Sequence, residues 1–186
     1  MGELSDKELV SMFRDEQSRQ QAFRLIVTRY QKKLYWHIRR ILVDHDDTDD
    51  VLQNTFIKTW KGLDGFKEDA QLYTWLYRIA TNETMSFIRS RKAELFVRYG
   101  DVEFSVEDKL QDGNNFKGDE IQKKLQLAIQ QLPEKQRLVF TMKYFEDMKY
   151  EDMSQVLDTS VGALKASYHH AVKKIEAYIR NTAEQL

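Results

Sequence analysis

Hydrophobic positions along this chain recur at steps of three and four residues. Leu9, Met12 and Phe13 are followed by Phe23, Ile26, Val27 and Tyr30, then by Leu34, Ile38, Ile41 and Leu42. That spacing places the apolar residues on one face of a helix. Ser5 with Glu8 three residues on has the pattern of a capping box and predicts the start of the first helix. Five aspartates within residues 44–50 interrupt the period. Val51, Leu52, Thr55, Phe56 and Thr59 then mark a second stretch of helix, which Gly62 and Gly65 end. Leu72, Leu76, Ile79, Ala80 and Phe87 mark a longer one closing in the basic cluster Arg89, Arg91 and Lys92.

Between residues 94 and 118 the period lapses. Gly100, Gly113 and Gly118 lie here beside Asn114 and Asn115, the composition of a flexible linker, although Phe96 to Val106 has some strand character. From Asp119 the helical period resumes with Ile121, Leu125, Ala128, Ile129 and Leu132. Pro133 stands where proline is tolerated, at the start of a further helix carrying Leu138, Val139, Met142 and Tyr144. Two more helices follow, split at Asp158-Thr159-Ser160. With seven glycines and one proline in 186 residues, the chain lacks the turn formers that an all-β or α/β domain requires. The expected fold is all-α: two small helical domains, 1–93 and 119–186, joined by a flexible linker over 94–118, the second containing a helix-turn-helix.

Composition changes this picture little but excludes a good deal. Formal charge is −1, from 29 basic and 30 acidic residues, so a nucleic-acid site would have to come from local segregation of charge. Cysteine is absent, which removes disulfide frameworks, thiolate zinc sites and cysteine nucleophiles. No run of consecutive apolar residues exceeds three, so no membrane span or signal sequence is expected, and the chain reads as soluble and cytoplasmic.

Catalytic chemistry finds little support. His37, His45, His169 and His170 have no metal-ligand spacing, and there is no Gly-rich phosphate loop or nucleophile elbow. A calcium loop beginning at Asp44 would need glycine at 49 and glutamate at 55, where the chain has Asp49 and Thr55. The aspartates fit better as anionic caps on the following helix, and neither metal nor cofactor is expected.

Two segments carry a different chemistry. Residues 65–92 interleave Phe66, Tyr73, Trp75 and Tyr77 with Arg78, Asn82, Arg89, Arg91 and Lys92. Rings that stack on bases beside cations that meet phosphates suit single-stranded DNA. Helical phase assigns Leu72, Leu76, Ile79, Ala80 and Phe87 to a core face, and Tyr73, Tyr77, Arg78, Asn82, Ser86 and Arg89 to the opposite side. The same pattern also fits aromatics in a core with cations on a solvated face. In residues 149–174, Met153, Val156 and Leu157 precede the Asp158-Thr159-Ser160 turn, and Ser160 is placed to cap the next helix. Leu164, Ala171 and Ile175 should point inward, leaving Lys165, Ser167, His169 and Lys173 outward or lateral. From Val161 to Lys174 the chain has three lysines, two histidines and no acid, as a helix entering the major groove requires.

These segments, in this order and across this linker, resemble the extracytoplasmic-function (ECF) sigma factors of the sigma-70 family. The resemblance rests on DDVLQNTFIKTW (49–60), FKEDAQLYTWLYRIATN (66–82), LPEKQRLVFTMKYFEDMKYEDMSQVL (132–157) and SVGALKASYHHA (160–171). It implies that Asp50, Gln53 and Asn54 bind the clamp helices of the largest subunit of RNA polymerase core. It further implies that the loop and helix start from Phe66 through Tyr73 to Trp75 capture a flipped base of the minus-ten promoter element. Asn82 and Ser86 would contact bases there, and Lys58, Arg78 and Arg89 the backbone. Lys165, Ala166, Ser167, His169 and His170, with Lys173 beside them, would read the minus-thirty-five element. Promoter DNA and an anti-sigma factor are the further partners implied, with the chemistry left to polymerase.

The chain departs from the family pattern in places. Asn54 stands where an acid is usual, and Asp158 replaces a common turn glycine, a tolerable change because aspartate enters left-handed conformations more readily than most residues. Ala166-Ser167 and His170 replace frequent serine and arginine positions, removing bidentate guanine readers and implying different minus-thirty-five preferences. Two competing functions are a helix-turn-helix regulator acting on duplex DNA without polymerase, and a metal-dependent phosphodiesterase built on the aspartates. The second lacks histidine ligands.

Overall fold

A computed structural model describes residues 4–67, 69–99 and 120–183, and among them every regular element is helical. The first four helices are α1 (Asp6–Arg14), α2 (Arg19–Leu42), α3 (His45–Gly62) and α4 (Leu72–Tyr99). After them come α5 (Glu120–Gln130), α6 (Glu134–Tyr144), α7 (Tyr150–Leu157) and α8 (Val161–Ala183). A short 3-10 turn, Leu63–Gly65, follows α3.

Local chemistry sets the helix ends. The Ser5 hydroxyl accepts from the Glu8 amide at 3.3 Å while the Glu8 carboxylate accepts from the Ser5 amide at 2.7 Å, completing the capping box. Asp44 caps α3 by accepting from the Asp47 amide at 3.0 Å, so the aspartate cluster does act at a helix N-terminus. The inward face of α3 is narrow, with Thr48, Val51, Thr55 and Thr59 all buried. The buried hydroxyls of Thr55 and Thr59 are satisfied by the carbonyls four residues back, each at 2.8 Å. Helix α4 runs on to Tyr99 and so takes in the first six residues of the expected linker, 94–99. The reason is local: no glycine or proline occurs between Gly65 and Gly100, and the residues after Lys92 include Ala, Glu, Leu and Arg, which are good helix formers. Most of the expected linker, and the strand-like part after Tyr99, lie outside the described residues.

The N-terminal unit packs α1 across α2, and α3 and α4 against α2 and each other. In the C-terminal unit, α8 packs on α5, α6 and α7. The two units are docked: α7 lies on α4, and α6 lies on α2. Val139, Met142, Met148, Met153, Val156 and Leu164 accordingly share one buried cluster with Leu9, Phe13, Leu34, Leu76 and Tyr77.

His37 is wholly buried on α2, its Nε2 3.0 Å from the Thr81 hydroxyl, its ring 4.9 Å from Tyr77, and its Nδ1 without a hydrogen-bond partner. Burial, helped by the nearby Arg40 cation, pulls its imidazole down to about 3. Below about pH 6.5 the unfolded chain takes up a proton at His37 that the folded chain refuses, so stability falls as pH falls. His37→Gln keeps a polar group toward Thr81 and removes this titration. Wild type should lose about 2 kcal/mol more than the variant between pH 7 and pH 5, measured by urea unfolding at each pH.

Candidate nucleic-acid interface

Helix α4 carries two distinct faces. At about 100° per residue, Arg78, Asn82, Ser86 and Arg89 fall within one narrow strip, and all four are exposed. Arg89 donates to the Ser86 hydroxyl at 3.3 Å, which keeps the guanidinium along the strip. Lys58 of α3 reaches the neighbouring turn of α4 and pairs with Glu83. Arg91 pairs with Asp47 at the start of α3.

Tyr73 and Tyr77 belong to the other face, about 140–180° around the helix from Asn82. The expectation that they share a side with Arg78 and Asn82 is corrected here. Tyr77 has no exposed surface, because the C-terminal unit covers this side of α4. Its hydroxyl donates to Glu146 at 2.9 Å, and its ring lies 4.5 Å from that of Tyr73. Burial first, and the Glu146 carboxylate second, hold the half-buried Tyr73 phenol up at about 12.

The loop into α4 is built from the inside. Phe66 is 7% exposed, and its ring lies 5.1 Å from that of Trp75. Arg14 of α1 donates to the Phe66 carbonyl at 2.6 Å, and Arg19 pairs with Asp64 at 3.0 Å. Gly62 permits the close packing of Trp75: a Cβ there would meet the indole at 3.3 Å. In front of the loop is a cleft of about 540 Å³, lined by Lys7, Phe66, Asp69 and Gln71 and by Asp152 and Gln155 of α7.

At the other end, α7 and α8 form a helix-turn-helix. Asp158 closes α7 at φ 49°, in the left-handed region that aspartate enters more readily than most residues. The Ser160 hydroxyl accepts from the Ala163 amide at 3.3 Å, capping α8 as its sequence suggests. Leu164, Ala171 and Ile175 point inward. Lys165, Ala166, His169, His170 and Lys173 are exposed, and Ser167 is half-buried beside them. The Lys165 ammonium sits 5.7 Å from the centre of the Tyr150 ring, a cation–π contact that orients it.

Comparison with known proteins joins these parts. The Sigma-70 region 2 family matches residues 26–94, and the Sigma-70 region 4 family matches residues 122–175. The RNA polymerase sigma-H factor of Pseudomonas aeruginosa is 33% identical over 92% of this chain and 92% of its own length. The ECF RNA polymerase sigma-E factor of Haemophilus influenzae is 30% identical over 96% of this chain and 97% of its own. The chain belongs to the ECF RNA polymerase sigma factors. Among solved structures, CnrH in complex with the cytosolic domain of CnrY superposes with a TM-score of 0.71 at 23% identity, covering 95% of this chain and 97% of that one. The sigma factor RpoE in complex with the anti-sigma factor NepR from Bartonella quintana gives 0.72 at 22% identity, over 85% of this chain and 96% of that one.

In this sigma factor the remaining residues singled out from the sequence, Asp50, Gln53 and Asn54, lie together on the exposed side of α3, next to Ile57, which is 45% exposed. No helix among the described residues is long and apolar enough to cross a membrane.

Sequence reasoning missed Arg40, Gln126, Gln130 and Glu146, which join the two units. Arg40 pairs with Glu146 at 2.7 Å, its guanidinium lies 4.4 Å from the Phe145 ring centre, and its carbonyl accepts from Gln126 and Gln130 at 3.1 and 3.2 Å. Burial outweighs the bonds from Tyr77 and Arg40 and holds the Glu146 carboxyl above its ordinary value. A polar FED turn gives no local sign that its glutamate will be covered by a distant helix.

Trp75 is therefore a structural residue as well as a candidate DNA contact. Trp75→Ala should cost about 2–4 kcal/mol by removing the packing on Phe66 and Gly62. Chemical denaturation of the variant, measured without DNA, checks this, and an unchanged midpoint would return the indole to a purely binding role.

Proposed function

We propose that this sigma factor binds RNA polymerase core through the exposed side of α3 (Asp50, Gln53, Asn54), reads and helps to melt the minus-ten element with α4 and its loop, and reads the minus-thirty-five element with α8. In this reading residues 1–93 form the polymerase- and minus-ten-binding domain and residues 119–186 the minus-thirty-five-binding domain. The observation that carries it is the strip Arg78, Asn82, Ser86 and Arg89, an exposed polar and cationic line on a helix whose other faces are buried. The amide of Asn82 both donates and accepts and suits a base edge, while the arginines suit phosphate. Extruding a base costs a few kcal/mol, and an aromatic-lined pocket of the kind Phe66, Tyr73 and Trp75 could form returns about 1–3 kcal/mol by stacking.

On α8, Lys165, Ala166, Ser167, His169 and His170 would meet base edges or phosphates, with Lys173 on the backbone. Without arginine at these positions, the preferred minus-thirty-five sequence should differ from the family's usual GGAAC-type element. The protein supplies recognition and melting rather than catalysis, requires no metal or cofactor of its own, and acts in the cytoplasm where polymerase is. An anti-sigma factor is a fitting further partner, since both solved neighbours are held by an inhibitor or a second protein's cytosolic domain. The alternative, a helix-turn-helix regulator without polymerase, leaves the exposed patch on α3 without a role.

The deciding experiment is transcription by purified core polymerase, with and without the protein, on pooled upstream DNA from its host. Discrete start sites that depend on the protein are expected. Asn82→Ala should reduce open-complex formation at least tenfold while leaving core binding intact. Lys173→Ala should weaken promoter binding across sequences and reduce the salt slope by about 0.9. No stimulation, combined with specific duplex binding in the absence of polymerase, would favour the plain regulator.

A further inference from the structure

Lysine on a recognition helix reads bases poorly unless something aims it. Its ammonium is a point charge on a flexible four-carbon stem, with three donors and no fixed plane. The first cation of α8 is Lys165, about one turn past Val161 on the helix that would enter the major groove. It is exposed, and among the described residues no carboxylate pairs with it. What meets it instead is the ring of Tyr150, the first residue of α7, at 5.7 Å from ammonium to ring centre.

The ring is itself held in place. Tyr150 is half-buried and packs against the main buried cluster. A second ammonium, that of Lys143 on α6, lies 5.5 Å from the same ring centre. Lys143 is fixed to the turn before α7, where it pairs with Asp147 at 3.0 Å and donates to the Met148 carbonyl at 3.4 Å. Tyr150 therefore stands between a cation anchored in the turn and a cation presented on the recognition helix.

An aromatic face suits this task in a way that a carboxylate does not. A carboxylate at contact distance would neutralise the ammonium and occupy its donors, and base reading needs both. The face of a ring attracts the cation through its quadrupole and leaves the charge and the outward N–H groups in place. Restricting the stem also reduces the rotamer freedom that is lost when the ammonium settles on a base edge. At an exposed site such a contact shifts an equilibrium by about two- to fivefold. An ammonium only donates, so the edge it reads must accept, as O6 and N7 of guanine do in the major groove.

We propose that Tyr150 is a positioning residue for minus-thirty-five recognition: its ring aims Lys165 at one base pair and sets a preference for guanine there. The proposal rests on the sigma-factor reading above, in which α8 enters the minus-thirty-five element.

The test uses the full chain with core polymerase and measures start-site yields on a promoter library randomised across the minus-thirty-five element. Lys165→Ala should flatten the preference at one position. Tyr150→Leu, which keeps an apolar side chain against the cluster, should lower the guanine preference at that position by about two- to fivefold and leave the other positions unchanged. Tyr150→Phe keeps the ring and should behave as wild type. Fluorinating the ring of the Phe variant depletes its negative face with little change of shape, and should lower the preference step by step, which a packing role alone would not do. With Lys165→Ala already present, Tyr150→Leu should have no further effect at that position. An unchanged preference in the Leu and fluorinated variants overturns the proposal, as does a loss that ignores fluorination or a further loss in the double variant. If Tyr150→Leu loses its helical circular dichroism, the fluorinated series decides alone. If wild type starts no transcript from the library, the sigma reading fails, and selection of duplex by the protein without polymerase then applies the same preference ratio to Tyr150 and Lys165.

Discussion

A phenol taken wholly out of water must still satisfy its hydroxyl, and Tyr77 does so across the boundary between the two halves of the chain. Its ring packs near His37 and Tyr73 inside the N-terminal unit, while its hydroxyl donates to Glu146 in the turn after α6. Glu146 in turn draws Arg40 of α2, and the Arg40 carbonyl accepts from Gln126 and Gln130 of α5. One sequence of bonds thus runs from α4 through the C-terminal unit to α2 and back. A carboxylate in that position loses much of its hydration, and it tolerates the loss only because an arginine and a hydroxyl both point at it. The relative placement of the two units follows from this requirement and from the buried apolar cluster that Val139, Met142, Met153 and Val156 share with Leu34, Leu76 and Tyr77.

Charge is arranged to match. The formal charge of −1 conceals zones of opposite sign: five aspartates at the start of α3, an acid-free stretch from Val161 to Lys174, and the cationic strip of α4. Several of these charges pair between elements of the same unit, as Lys58 does with Glu83 and Arg91 with Asp47. Such pairs hold α3 and α4 in register. The exposed pair with Lys58 contributes modestly to stability, so a phosphate can compete for the lysine at little cost.

Much of this was legible along the chain, and what was not had a common cause. The Ser5–Glu8 box, the Asp44 cap, the Ser160 cap and the left-handed Asp158 are local bargains between neighbours, and each appears in the structure as its residues imply. The inward set Leu164, Ala171 and Ile175 follows from helical phase alone. Phase failed at Tyr73 and Tyr77, where it separates them from Leu72 but does not say whether the far side faces water or another unit. Phe66 is nearly buried for a similar reason, since the arginine that holds its carbonyl comes from 52 residues earlier. The end of α4 was misplaced because a basic cluster resembles a helix terminus, although the residues beyond it propagate a helix equally well. Contacts between units leave no periodic trace in either partner.

The two faces of α4 have different surroundings. Arg78, Asn82, Ser86 and Arg89 remain exposed in the docked state, and so do Lys165, His169 and Lys173 on α8. Docking therefore leaves the cations exposed and covers the aromatic side of the helix. Electrostatic attraction to DNA is insensitive to sequence and acts through exposed charge, whereas reading a promoter needs defined groups at defined separations. Burying the aromatic side of the helix, rather than its cationic strip, leaves the first of these in place.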